Sequence, residues 1–152
     1  MWRRGGLVVL LAAPALAACG RGGTADLPAA CHFTNGVRTL QTALASAPGE
    51  VRIEGTTPIS HCLPREASAG DVQSVGAALL TVASGLADTA RAQPHSRAAT
   101  QLGYLVGAVH RAASKTAGIH YELERRVEQE LNGVDARAPE YLRGERAGEA
   151  SG

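Results

Sequence analysis

Residues 96–133 read SRAATQLGYLVGAVHRAASKTAGIHYELERRVEQELNG. Small or apolar residues recur at three- and four-residue steps: Leu102, Leu105, Val109, Ala112, Thr116, Ile119, Leu123 and Val127. That is the period of one face of an α-helix. Ser96 stands where a side-chain oxygen can cap the first turn, and Asn132-Gly133 closes the run. The spacing predicts one helix from about Arg97 to Leu131, ~50 Å long at 1.5 Å per residue.

The stretch before it has the same character. Ser68-Ala69-Gly70-Asp71 resembles a capping box with Asp in place of Glu, and Val72, Val75, Leu79, Val82 and Leu86 continue as an apolar seam. Gln93-Pro94 ends this helix near Ala92. Two helices joined by so short a connection form an antiparallel hairpin. The expected fold is therefore mainly α, a small helical domain on a long antiparallel helical hairpin. Gly103 and Gly107 fall on one face of the longer helix. A mid-helix glycine costs ~1 kcal/mol relative to alanine, so close approach of another backbone, here expected from the preceding helix, should offset it. The familiar membrane reading of Gly-xxx-Gly does not apply, because His110, Arg111 and Lys115 interrupt the segment.

Upstream, Thr34 or Asn35 can cap a short N-terminal helix carrying Val37, Leu40, Ala43 and Leu44, which Pro48-Gly49 stops. Val51 and Ile53 alternate with Arg52 and Glu54, the pattern of a short extended segment, and Gly55-Thr56-Thr57-Pro58 is turn chemistry. The helical domain is expected over 31–132. Residues 133–152 mix charges with Pro139, Gly144, Gly148 and Gly152, and read as a disordered tail with one turn around Glu140-Tyr141-Leu142.

The chain opens with Arg3 and Arg4, then an apolar run from Leu7 to Ala18 broken only at Pro14. This is the layout of a secretory signal peptide, too short to span a bilayer. Its end, Leu16-Ala17-Ala18-Cys19, resembles the lipobox of bacterial lipoproteins. The resemblance covers the first 20 residues and implies a signal peptide over 1–18 and a diacylglycerol on the Cys19 sulfur, with Cys19 the mature N-terminus. Fatty acyl chains of the palmitate type would then hold the protein to a membrane, since two or more chains give stable attachment where one is marginal. The implied location is the outer face of the cytoplasmic membrane or the outer membrane. Residues 19–30 are glycine-rich and read as a flexible tether with a reach of roughly 15–20 Å.

Two further cysteines, Cys31 and Cys62, remain in a chain expected to mature in an oxidising compartment, where a disulfide is the simplest fate. His32 and His61 adjoin them and make a Cys-His metal site the alternative, but the spacing matches no zinc pattern. The formal charge is +1, and losing Arg3 and Arg4 takes it to about −1, so no basic patch for nucleic acid survives. Aromatic residues are scarce, at 3%. A core of Ala, Val and Leu packs helices closely and offers few large anchors for a ligand.

Signatures of catalysis are missing from the sequence: no nucleophile elbow, phosphate loop, dinucleotide fingerprint or calcium loop. Ser60-His61 is a poor dyad, because neighbours on an extended segment point apart. His110 and His120, ten residues apart on one continuous helix, would lie ~15 Å apart and share no metal. Glu122, Glu124, Arg125, Arg126, Glu128 and Glu130 read as a solvated helix face laced by Glu122–Arg126, Arg126–Glu130 and Arg125–Glu128 pairs. Tyr104, Gly107, His110, Arg111 and Lys115 are the candidate groove for an anionic ligand such as a cell-wall polymer, against the plainer reading of a stripe facing water. The expected function is that of a membrane-anchored envelope lipoprotein: a non-enzymatic interaction or scaffold module without cofactor or metal. Its partners would be the membrane, through Cys19, and an envelope protein or cell-wall polymer. The alternative is a small-molecule or metal-binding lipoprotein.

Overall fold

A computed structural model describes residues 26–114 and 118–152. The signal peptide, Cys19 and Lys115 lie outside the described residues. The fold is mainly helical: α1 (Gly36–Leu44), α2 (Ala69–Ala92), α3 (Arg97–Ala113), α4 (Ile119–Gln129) and α5 (Pro139–Ser151). Single 3-10 turns at Ala29–Cys31 and Ile59–Cys62 complete it. Among the described residues, the extended segment reduces to one antiparallel bridge between Ile53 and Thr57, with Val51 and Ile53 fully buried.

The expected caps of α2 and α3 are in place. The Ser68 hydroxyl accepts the Asp71 backbone N–H at 3.1 Å and donates to the Asp71 carboxylate at 2.7 Å; Ser96 accepts the Ala99 N–H at 3.3 Å. Asn35 occupies the N-cap position of α1 without a side-chain bond. The α2–α3 hairpin forms. Its seam on α2 drifts from Leu86, which is half-buried, to Ala83, Ala87 and Ala90, as a 3.6-residue period does over six turns.

Three expectations change. The long helix is two helices, because Gly118 sits at φ +72° and breaks the run. Helix α4 turns back against α3 and runs alongside α2: Leu123 lies over Gly76 near one end, and Arg91 donates to the Asn132 and Glu130 carbonyls, both at 2.7 Å, near the other. Leu123 and Val127 stay buried, whereas Ile119 is 40% exposed. Second, residues 139–151 form α5, not a disordered tail. Pro139 starts it at the first helical position, where its missing N–H costs nothing. Tyr141 is buried in the core. Third, the tether ends before residue 30, since Leu27 is buried and Ala29–Cys31 is the turn that presents Cys31.

Cys31 and Cys62 form a disulfide across a separation of 31 residues, with Cα atoms 5.3 Å apart. Closing such a loop stabilises by roughly 3–4 kcal/mol in the chain-entropy model.

Helix α3 is the centre of the domain. Leu102, Tyr104, Leu105, Val106 and Ala108 are all fully buried, so it is covered on every side. The cover on its glycine face is α5, not α2. A Cβ on Gly103 would lie 2.2 Å from the Tyr141 carbonyl oxygen, and one on Gly107 would lie 2.2 Å from that of Glu145. Helix α5 answers with Gly144 and Gly148, whose Cβ atoms would meet the carbonyl oxygens of Thr100 and Tyr104 at 2.0 and 2.1 Å. Contact positions rise together along both helices, so α3 and α5 are parallel. Glycines on both sides let the backbones touch, a distance at which Cα–H···O contacts form.

Candidate functional site: a histidine ringed by carboxylates

The last turn of α3 carries His110 toward α4 and α5. The fold-back of α4 brings Glu124 and Glu128, one helical turn apart on the same face, against the ring. His110 Nε2 lies 3.3 Å from Glu128 Oε1 and 3.9 Å from Glu124 Oε1, and Nδ1 lies 3.9 Å from Glu149 Oε1 on α5. The side chains of His110 and Glu124 are three-quarters buried; those of Glu128 and Glu149 are half-exposed. His110 Nε2 is itself buried and makes no hydrogen bond.

The surrounding electrostatics are acidic. Glu145, one turn before Glu149, has its carboxyl pKa raised by burial, against the pull of His110. Burial also pushes the Tyr141 hydroxyl up, and the Glu145 charge adds to it. Arg146 offsets part of this at Glu145, but the arginines of α4 do not. Arg125 and Arg126 both bind Glu122, at 3.0 and 2.9 Å, and hold its carboxyl at about 2. The expected Glu122–Arg126 pair is thus present, but Arg125 turns from Glu128 to Glu122. Among the described residues, Glu124, Glu128 and Glu149 have no ion pair with an arginine. The reading of α4 as a wholly solvated face fails for Glu124 and Glu128. It assumed one straight helix, in which position 124 would stand ~21 Å from position 110.

Among the described residues, the expected ligand groove is not assembled. Tyr104 is fully buried, with its hydroxyl 3.2 Å from Ser151 Oγ, and Gly107 is covered by α5. Arg111 donates to the Glu149 and Ala150 carbonyls at 2.7 and 2.9 Å. Arg52 donates to Ser151 O at 3.0 Å, and the Ser60 hydroxyl donates to Gly152 O. These groups satisfy the carbonyls at the C-terminal end of α5, where a helix favours cations. Arg111 is therefore a cap, and His110 is the groove residue that faces the carboxylates of α4 and α5.

The remaining histidines are structural or exposed. His120 is buried and donates from Nε2 to the Pro64 carbonyl at 3.1 Å. His95 is exposed and holds Glu140 at the start of α5, 2.9 Å from Nδ1 to Oε2, which keeps that carboxyl below its usual range. The Cys-His alternative is closed, since both cysteines are spent in the disulfide. Among the described residues no helix is long and apolar enough to cross a membrane. Comparison with protein-family models, with curated proteins and with solved structures finds no match.

Proposed function

We propose that this chain is an exported lipoprotein, anchored through Cys19, whose helical domain is a non-enzymatic interaction module at a bacterial membrane surface. The observation that carries the reading is Leu16-Ala17-Ala18-Cys19 at the end of an apolar run behind Arg3 and Arg4. The Cys31–Cys62 disulfide supports maturation in an oxidising compartment. The interaction role draws support from the start of α4. There Ile119 is 40% exposed and lines a shallow groove with Val72, Gly76, Leu80 and Leu123. Large apolar side chains left in water next to a groove favour a protein contact. Growth with a labelled fatty acid tests the anchor. Wild type should incorporate label and fractionate with membranes; Cys19→Ser should incorporate none and be released or left as unprocessed precursor. An unlabelled wild-type protein would remove the proposal. Cross-linking in intact envelopes, wild type against Ile119→Asp, tests the contact surface: an identical set of adducts would exclude it.

A further inference from the structure

We propose that His110, Glu124 and Glu128 form a binding site for one divalent transition-metal ion, with zinc as its representative. Three observations converge. First, the ligand atoms are gathered: one imidazole nitrogen and one oxygen from each carboxylate all lie within 4.8 Å of one another. With bonds of 2.0–2.2 Å, two ligand atoms on one tetrahedral ion stand about 3.4 Å apart. The 3.3 Å from His110 Nε2 to Glu128 Oε1 already has that value, and the 3.9 Å to Glu124 Oε1 closes with a small side-chain rotation.

Second, the nitrogen that would bind the metal is the one whose bonding is unmet. His110 Nε2 is buried and has no hydrogen-bond partner, although it faces two carboxylates. A neutral imidazole with its lone pair at Nε2 cannot hydrogen-bond to carboxylate oxygens, because both are acceptors. A cation between them satisfies all three groups. The other ring nitrogen, Nδ1, faces Glu149, the placement of the outer-shell carboxylate that orients a metal-bound histidine.

Third, among the described residues the charge is one-sided. Glu124, Glu128 and Glu149 converge on one histidine while Arg125 and Arg126 are engaged by Glu122. A divalent ion balances that charge. Mixed nitrogen and oxygen ligands select a zinc-like ion over calcium, which takes six to eight oxygens. Glu128 is half-exposed, so the ion enters from solvent and a water completes the coordination. The site is independent of the lipid anchor.

The test uses the full lipidated chain in detergent, without a histidine tag and stripped by a chelator. Zinc chloride is titrated while the imidazole nitrogen resonances are followed by NMR. The His110 Nε2 signal should move and saturate at one zinc per chain, and calcium should not displace the zinc. Glu124→Gln with Glu128→Gln should weaken binding by about 100-fold or more, and Glu149→Gln by about 10-fold. Glu140→Gln, at the opposite end of α5 from Glu149, should leave it unchanged. Zinc uptake that moves another histidine and not His110, or unaltered affinity in the double variant, would overturn the site. So would a His110 signal that stays put at every zinc concentration the fold tolerates. If the double variant fails to fold, the wild-type His110 signal decides alone.

Discussion

Toward α5, helix α3 offers no side chain at Gly103 and Gly107; three residues further on, toward α4, it offers the imidazole of His110. The first face is backbone against backbone, with the carbonyl oxygens of Tyr141 and Glu145 where a Cβ would stand. The second is a gap bridged by polar side chains, with His110, Glu124 and Glu128 close but not hydrogen-bonded. One helix thus carries a surface that tolerates no addition beside a surface whose groups are not fully used. Stability resides in the first and binding capacity in the second.

The two faces differ most at Gly107. Gly107→Leu should destabilise the domain by roughly 4 kcal/mol and release α5, since a backbone oxygen cannot rotate aside as a side chain can. Denaturant melts of wild type and variant measure it. A midpoint equal to or above wild type would mean that α5 does not pack on this face.

The next effect lies at the break between α3 and α4. Among the described residues, a Cβ on Gly118 would meet nothing within 4 Å, so the backbone angle, φ +72°, is what resists substitution. Gly118→Ala should therefore cost about 2–3 kcal/mol, because φ +72° with ψ −121° lies outside the left-handed helical well and suits glycine alone. A neutral result in the same melts would show that the turn does not need that angle.

Much of this molecule was legible in its sequence. The apolar seams gave α2 and α3, Ser68 and Ser96 gave their starts, and the leftover cysteines gave the disulfide. The α3–α4 break was not, because Leu123 and Val127 keep the helical register set by Leu102 and Leu105 across it. A seam in register hides a turn; the signal available was Gly118 itself, in a stretch with no cap. Helix α5 was hidden differently. Gly144 and Gly148 read as helix-breaking by propensity. Their four-residue spacing matches that of Gly103 and Gly107, and paired spacings in two distant segments were the usable sign of a close contact. The histidine site depended on both elements, so it could not be read before them.

A weaker effect should separate the two ends of α5. The bond to His95 depresses the Glu140 carboxyl pKa in the folded chain. Its stabilising contribution is therefore complete above the unfolded value of about 4.5 and is lost as pH falls through the lower folded value. Glu140→Gln should melt slightly below wild type at neutral pH, with the difference vanishing in acid. A difference that grows on acidification would contradict the assignment.

The smallest effect is expected on the polar face. In metal-free protein, Glu124→Gln with Glu128→Gln removes two carboxylates that have no arginine partner among the described residues. The melting temperature should hold or rise slightly, in contrast with Gly107→Leu. A large fall would make this face a source of stability and erase the distinction between the two.

The contrast rests on α4 folding back onto α3, and a nuclear Overhauser measurement tests that directly. Folded back, the His110 ring and the Glu128 side chain are in contact, with Nε2 and Oε1 3.3 Å apart. On one continuous helix their positions would stand ~27 Å apart at 1.5 Å per residue. Cross-peaks between the His110 ring protons and the Glu128 methylene protons are the expected result. Their absence, with unbroken helical connectivities running through Gly118, would contradict it.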